Sequence, residues 1–220
     1  MESYCPHCGK KMNEVKNNKT LINFILDASG SMESAKKSTI SGFNEYISNL
    51  KNDGNEYRFQ LTTFNDNVKR ELKCDIKDCK KLSIENYVPN GMTALYDAVC
   101  STIISEKNYE GKVLTIIMTD GEENSSKSYT HDEFKNLIKE LTEKGNHTFV
   151  FLGANQDSWN NASKLGFDRG NVVTYNSTDA GTQAAYVCLS GLTSSLTRSK
   201  SSSTKNFFTA DSLEKIEKTK

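Results

Sequence analysis

Two apolar runs, residues 21–26 (Leu-Ile-Asn-Phe-Ile-Leu) and 113–118 (Val-Leu-Thr-Ile-Ile-Met), each lead within two residues to an aspartate, Asp27 and Asp120. A strand that is apolar at nearly every position has both faces covered, as in a parallel sheet held between helices. The segments between them fit that scheme. Residues 34–50 place Ile40, Phe43, Tyr46, Ile47 and Leu50 at three-to-four spacing, an amphipathic helix. Residues 57–64 alternate as a strand, and Asn65-Asp66-Asn67 turns the chain into a partner strand over 68–72. Helices are predicted over 94–105, 132–143, 157–165 and 179–196, and strands over 147–152 and 171–175. Strands alternating with helices imply crossover units. The expected fold class is therefore α/β, a Rossmann-like, doubly wound and mostly parallel sheet with helices on both faces.

A chain of 220 residues suits one such domain with short appendages. The expected division is an N-terminal Cys-containing appendage over 1–19, the α/β domain over 20–197, and a flexible linker with a short helix over 198–220. The linker reading rests on the Ser/Lys-rich, aperiodic stretch 193–204. Charge is balanced, with 28 Lys and Arg against 28 Asp and Glu, so no overall field draws the chain to nucleic acid or anionic lipid. No apolar run approaches the ~20 residues of a membrane span, and the N-terminus lacks the basic start and apolar stretch of a secretory signal. A soluble, cytoplasmic protein without membrane attachment is expected.

The chemistry concentrates after the first apolar run, in Asp27-Ala28-Ser29-Gly30-Ser31. In extended backbone alternate side chains share a face, so Asp27, Ser29 and Ser31 can direct three oxygens to one point. Thr93 lies in the loop before the second helix, and Asp120 ends the second buried strand. All three segments reach the edge where strand carboxyl ends gather, the usual ligand edge of an open α/β sheet. Hydroxyl and carboxylate oxygens with no Cys or His suit Mg2+ or Mn2+. Some of these groups must act through water, which leaves a coordination position open to an outside ligand.

Asp-x-Ser-x-Ser, then a threonine, then an aspartate after a buried strand, is the pattern of a metal-ion-dependent adhesion site. On Asp27, Ser29, Ser31, Thr93 and Asp120 the sequence resembles the von Willebrand factor type A family. The stretches Gly91-Met92-Thr93-Ala94-Leu95-Tyr96-Asp97 and Phe151-Leu152-Gly153-Ala154-Asn155-Gln156-Asp157 look like stand-alone bacterial and phage members. The resemblance implies a six-stranded sheet with 68–72 as an antiparallel edge. It also implies a non-enzymatic module whose Mg2+ or Mn2+ accepts an Asp or Glu from a partner protein. Glu122, Glu123, Asn124, Asn155 and Gln156 are expected to form the rim around that partner.

Two hydrolytic readings compete. A phosphatase of the haloacid-dehalogenase type also uses an aspartate at the end of a first strand, but needs a second carboxylate where Ser29 stands. A serine nucleophile lacks its Gly-x-Ser-x-Gly setting and an evident histidine base. A third alternative is a nucleic-acid-associated adaptor using the Cys-containing N-terminus and the Lys-rich stretches 10–19, 80–81 and 198–205. Zero net charge and the absence of interleaved aromatics favour a solvated surface for these lysines.

Cys5-Pro6-His7-Cys8 matches a redox tetrapeptide but has no strand before it, so the redox reading fails. With the following Gly9-Lys10 it looks like half of a zinc ribbon. Two thiolates cannot fill a tetrahedral shell, and the other closely spaced pair is Cys74 and Cys79. The expectation is one structural Zn2+ on Cys5, Cys8, Cys74 and Cys79. An unligated pair, or ligands supplied by a partner chain, are the alternatives. Cys100 and Cys188 read as small core residues.

Overall fold

The computed structural model describes residues 19–154, 162–176 and 178–217. Its centre is a six-stranded sheet built from β1 (Thr20–Asp27), β2 (Tyr57–Phe64), β3 (Val68–Asp75), β4 (Val113–Thr119), β5 (His147–Gly153) and β6 (Val172–Thr174). The spatial order is β3-β2-β1-β4-β5-β6, with every pairing parallel except that of β2 with β3. The apolar runs take the centre: β1, β4 and β5 are buried at every position. The edges are blunted as soluble sheets require. β3 opens with exposed Val68, Lys69 and Arg70, and β6 is three residues long.

Alternation along β1 divides the core. Ile22, Phe24 and Leu26 face α1 (Lys36–Asn52) and α4 (Asp179–Arg198), while Ile25 faces α2 (Leu95–Ile104) and α3 (His131–Glu143). Phe24 meets Phe43 edge-on at 5.4 Å and Tyr186 in a stack at 6.1 Å, an aromatic seam between sheet and helices. The helix expected from residue 34 begins as a 3-10 turn, Gly30–Ala35, before α1 proper. α3 starts one residue earlier than its periodicity indicates, because Thr130 and Glu133 form a reciprocal capping box.

Two departures from the sequence reading matter. β3 runs three residues past 72, so Cys74 lies within the strand. The C-terminal segment read as a linker is packed against the domain. α4 continues to Arg198, and Lys112 Nζ reaches the carbonyls of Leu196 (2.8 Å), Thr197 (3.0 Å) and Ser199 at its C-terminus. Asn171 then fastens the strap, donating to Thr204 O and accepting from Phe207 N. Phe207 and Phe208 enter the core, and α5 (Ala210–Glu217) adds Ile216 to it. A Ser/Lys-rich composition hid this because two aromatics carry the docking.

Candidate metal centre

From β1 the chain crosses to β2 on one side of the sheet, and the later strands build outward from β4 on the other. Strand order therefore reverses between β1 and β4, opening a crevice at their carboxyl ends. Asp27 closes β1 and Asp120 directly follows β4, so both carboxylates stand at this crevice.

Asp27 is fully buried and tightly held. Its Oδ1 accepts from Ser29 N at 2.7 Å and its Oδ2 from Thr119 Oγ1 at 2.5 Å, while Tyr87 donates its hydroxyl to the Asp27 carbonyl at 2.6 Å. Burial outweighs the bonds that favour the anion, and the neighbouring Asp120 adds repulsion, so its pKa is pushed up from 3.8 to about 6. Asp120 is raised too, chiefly by burial, although Ser31 Oγ donates to it at 2.5 Å. Two carboxylates held above their ordinary range mark a place short of positive charge.

Thr93 arrives on a loop stitched to the Asp27 segment. Gly30 N donates to Gly91 O at 3.0 Å, and Asn90 N to Ala28 O at 2.8 Å. Gly91 has φ +72°, and a Cβ there would lie 2.0 Å from Asp66 Oδ2, so this turn accepts only glycine. Gly121 marks where these side-chain oxygens converge. A Cβ on it would sit 3.1 Å from Thr93 Oγ1, 3.6 Å from Ser31 Oγ and 3.8 Å from Asp27 Oδ2. Ser29 Oγ lies 3.1 Å from Ser31 Oγ, which bonds Asp120, so all five expected residues belong to one constellation. Two carboxylates and three hydroxyls around a space that glycine keeps open fit a hard divalent cation.

The expected rim divides. Glu122 is exposed. Glu123 turns inward, its carboxylate accepting from the backbone N–H groups of Tyr96, Ser125 and Ser126 and from Ser126 Oγ. Asn124 Oδ1 accepts from Thr93 N at 2.8 Å while Asn124 N donates to Thr93 O at 3.0 Å. Glu123 and Asn124 thus brace the threonine loop. Asn155 and Gln156 lie outside the described residues, as do Cys5 and Cys8. Beside the constellation a cleft of about 170 Å3 is lined by Leu95, Tyr96, Glu122, His131 and Phe151 among others. Sequence reasoning overlooked Thr119, Gly121 and Tyr87. Thr119-Asp120-Gly121 offered a signal for the first two, whereas Tyr87 lies in a loop with no periodic pattern.

The von Willebrand factor type A domain model matches residues 22–187, and the chain belongs to that family. A comparison with curated proteins finds no match. Among solved structures, the vWF domain of a type V pili tip protein from Porphyromonas gingivalis superposes with a TM-score of 0.66 at 12% identity, over 82% of this chain and 97% of that one. Proximal thread matrix protein 1 from the mussel byssus, solved with a zinc-occupied MIDAS motif, gives 0.60 at 19% identity over 80% of this chain and 46% of that one. The ArnB paralog VWA2 from Sulfolobus acidocaldarius gives 0.55 at 19%, over 79% and 44%. The chain thus spans less than half the length of the last two. At these identities the likeness is one of fold. Among the described residues no helix is long and apolar enough to cross a membrane.

Proposed function

We propose that the chain is a cation-dependent protein-binding module. Mg2+ or Mn2+ is held by Asp27, Ser29, Ser31, Thr93 and Asp120, and an Asp or Glu of a partner protein is the remaining ligand. The observation that carries this reading is the convergence of Thr93, Ser31 and Asp27 oxygens on the space kept by Gly121. A cation bound there supplies a Lewis-acidic position for an incoming carboxylate oxygen. The mussel protein with zinc in its MIDAS motif supports divalent ions as occupants of this fold. Ser29 and Ser31 share a hydrogen bond, and Ser31 donates to Asp120, which suits ligation rather than nucleophilic attack. Exposed Glu122 and the adjoining cleft form the rim that meets residues beside the partner's carboxylate.

The test has two stages. Calorimetric titration with Mg2+ is expected to show one site in the wild type and none in Asp27→Ala, with circular dichroism of the two unchanged. Pull-downs from a lysate, compared in Mg2+ and in EDTA, should recover a partner only with the metal and only with Asp27. Capture indifferent to EDTA overturns the reading.

A further inference from the structure

The cleft beside the metal centre is apolar where a cation site has no need to be. It opens at the carboxyl ends of β4 and β5, between the first turns of α2 and α3. Among the described residues, buried Leu95, Phe151 and Leu165 line it together with half-buried Tyr96 and His131, and exposed Glu122 and Lys164 carry the charge at its mouth. Glu123 also borders it, but that carboxylate is already engaged by Tyr96 N, Ser125 N, Ser126 N and Ser126 Oγ.

The lining belongs to a chain of aromatic contacts. Tyr96 lies 5.2 Å from Phe134, Phe134 lies 6.2 Å from Phe167, and Phe167 lies 5.4 Å from Phe151. His131 meets Tyr96 edge-on at 6.1 Å. Every one of these pairs is tilted or edge-on, so a further ring entering the cleft gains edge contacts as well as burial, which an aliphatic chain does not. At about 170 Å3 the cleft takes one side chain. An apolar cavity of about 150 Å3 is enough to hold a benzene ring.

The cleft and the cation space share residues. Gly121 lines the cleft and also faces the Thr93, Ser31 and Asp27 oxygens, while Thr119 lines it and donates to Asp27. In an extended peptide, side chains two residues apart share a face at ~6.6 Å, from ~3.3 Å per residue. A step of that length leads from the cation space across Gly121 into the cleft. We infer that the partner presents an extended segment with an aromatic side chain two residues from its metal-bound Asp or Glu, and that the ring seats in this cleft. The inference rests on the metal reading above and adds a second anchor to it. A ring in a desolvated pocket is the common energetic centre of a protein interface.

The experiment is fluorescence anisotropy with labelled Gly-Phe-Gly-Asp-Gly-Phe-Gly, which offers a ring on either side of the aspartate. Peptides with Leu or Gly at both Phe positions, and one with Asn for Asp, complete the set. In Mg2+ the Phe peptide should bind the full chain about 10-fold or more tightly than the Gly peptide, with the Leu peptide between them. His131→Trp fills the cleft from its half-exposed wall and should erase the difference between the Phe and Gly peptides. Nuclear Overhauser contacts from the peptide ring to the methyls of Leu95 and Leu165 test the seat in the unaltered chain. Equal binding of the Phe and Gly peptides, both abolished by EDTA, overturns the aromatic anchor and leaves the metal reading standing. A Phe advantage that survives EDTA and the Asn peptide overturns the metal reading, and the two-anchor motif with it. A Leu peptide as tight as the Phe peptide, or no binding of the Phe peptide in Mg2+, also overturns the motif.

Discussion

Thr119 Oγ1 donates to Asp27 Oδ2 at 2.5 Å, bridging the carboxyl ends of β4 and β1. With Ser29 N on the other oxygen, the bond fixes the orientation of the Asp27 carboxylate and stabilises a buried anion. Removing it with Thr119→Val leaves Asp27 buried with one partner fewer. Mg2+ affinity should fall on the order of 10-fold, the usual cost of losing a supporting bond behind a metal ligand. Calorimetric titration checks this, and an unchanged affinity would show the bond to be incidental.

Gly121→Ala introduces a methyl group 3.1 Å from Thr93 Oγ1, in the space where the Thr93, Ser31 and Asp27 oxygens meet. The backbone there is accessible to alanine, so folding should persist while metal binding is lost. Thermal melting with and without Mg2+ separates the two effects. The metal-induced rise in Tm should disappear while the metal-free Tm changes little.

On the proposed reading, protons compete with the cation at Asp27. Its pKa is raised to about 6 in the metal-free fold, against 3.8 for the ordinary side chain. Between these values the folded chain holds a proton that the unfolded chain has released, so metal-free stability declines as pH rises through that window. A cation at the site offsets this loss by favouring the anion. The Tm increase on adding Mg2+ should therefore be larger at pH 7 than at pH 5; equal increases would contradict the assignment of Asp27.

His147 provides an opposite pH dependence, far from the metal centre. It begins β5 at 2% exposure, stacks on Phe149 at 5.9 Å, and neither ring nitrogen has a hydrogen-bond partner among the described residues. Burial, reinforced by nearby Lys144, lowers its pKa from 6.5 to about 4. Here the unfolded chain binds the extra proton, so stability is full above about 6.5 and is lost as pH falls towards 4. The expected slope approaches about 1.4 kcal/mol per pH unit within that window. Denaturant titrations at pH 4.5 and 7 should show the difference shrinking in His147→Phe.

Gly42→Ala sets helix propensity against packing. Propensity alone favours alanine by about 1 kcal/mol in a helix interior. In α1, however, a Cβ at residue 42 would lie 2.2 Å from Tyr186 Cδ2 in α4, and that ring is fully enclosed. Overpacking should win, with a net loss of about 1–3 kcal/mol. Chemical denaturation measures it, and a stabilised variant would mean that α1 and α4 can move apart at little cost.

Much of the architecture was legible because the central strands are apolar on both faces and the helices on one. The starting points of β1, β2, β4 and β5 could be read directly from residues 20, 57, 113 and 147. The C-terminal strap could not. Its composition is that of a linker, and only the seating of Phe207 and Phe208 against the core gives it a place. The length of β3 was also underestimated, since edge residues such as Lys73 and Asp75 carry no apolar signal and owe their strand geometry to pairing with Gln60 and Arg58.

The sequence by itself determined the α/β class and which side chains gather at the carboxyl ends of β1 and β4, because Asp27, Ser29 and Ser31 are spaced two apart after β1 and Thr93 and Asp120 adjoin recognisable elements. It could not determine which neighbours brace them. Glu123, read as a rim residue, spends its carboxylate on three backbone N–H groups, while Thr119 and Tyr87 hold Asp27 from β4 and a loop 60 residues away. Those roles depend on contacts between segments distant in sequence, and such contacts exist only once the strand order has reversed between β1 and β4 and brought the segments to one edge.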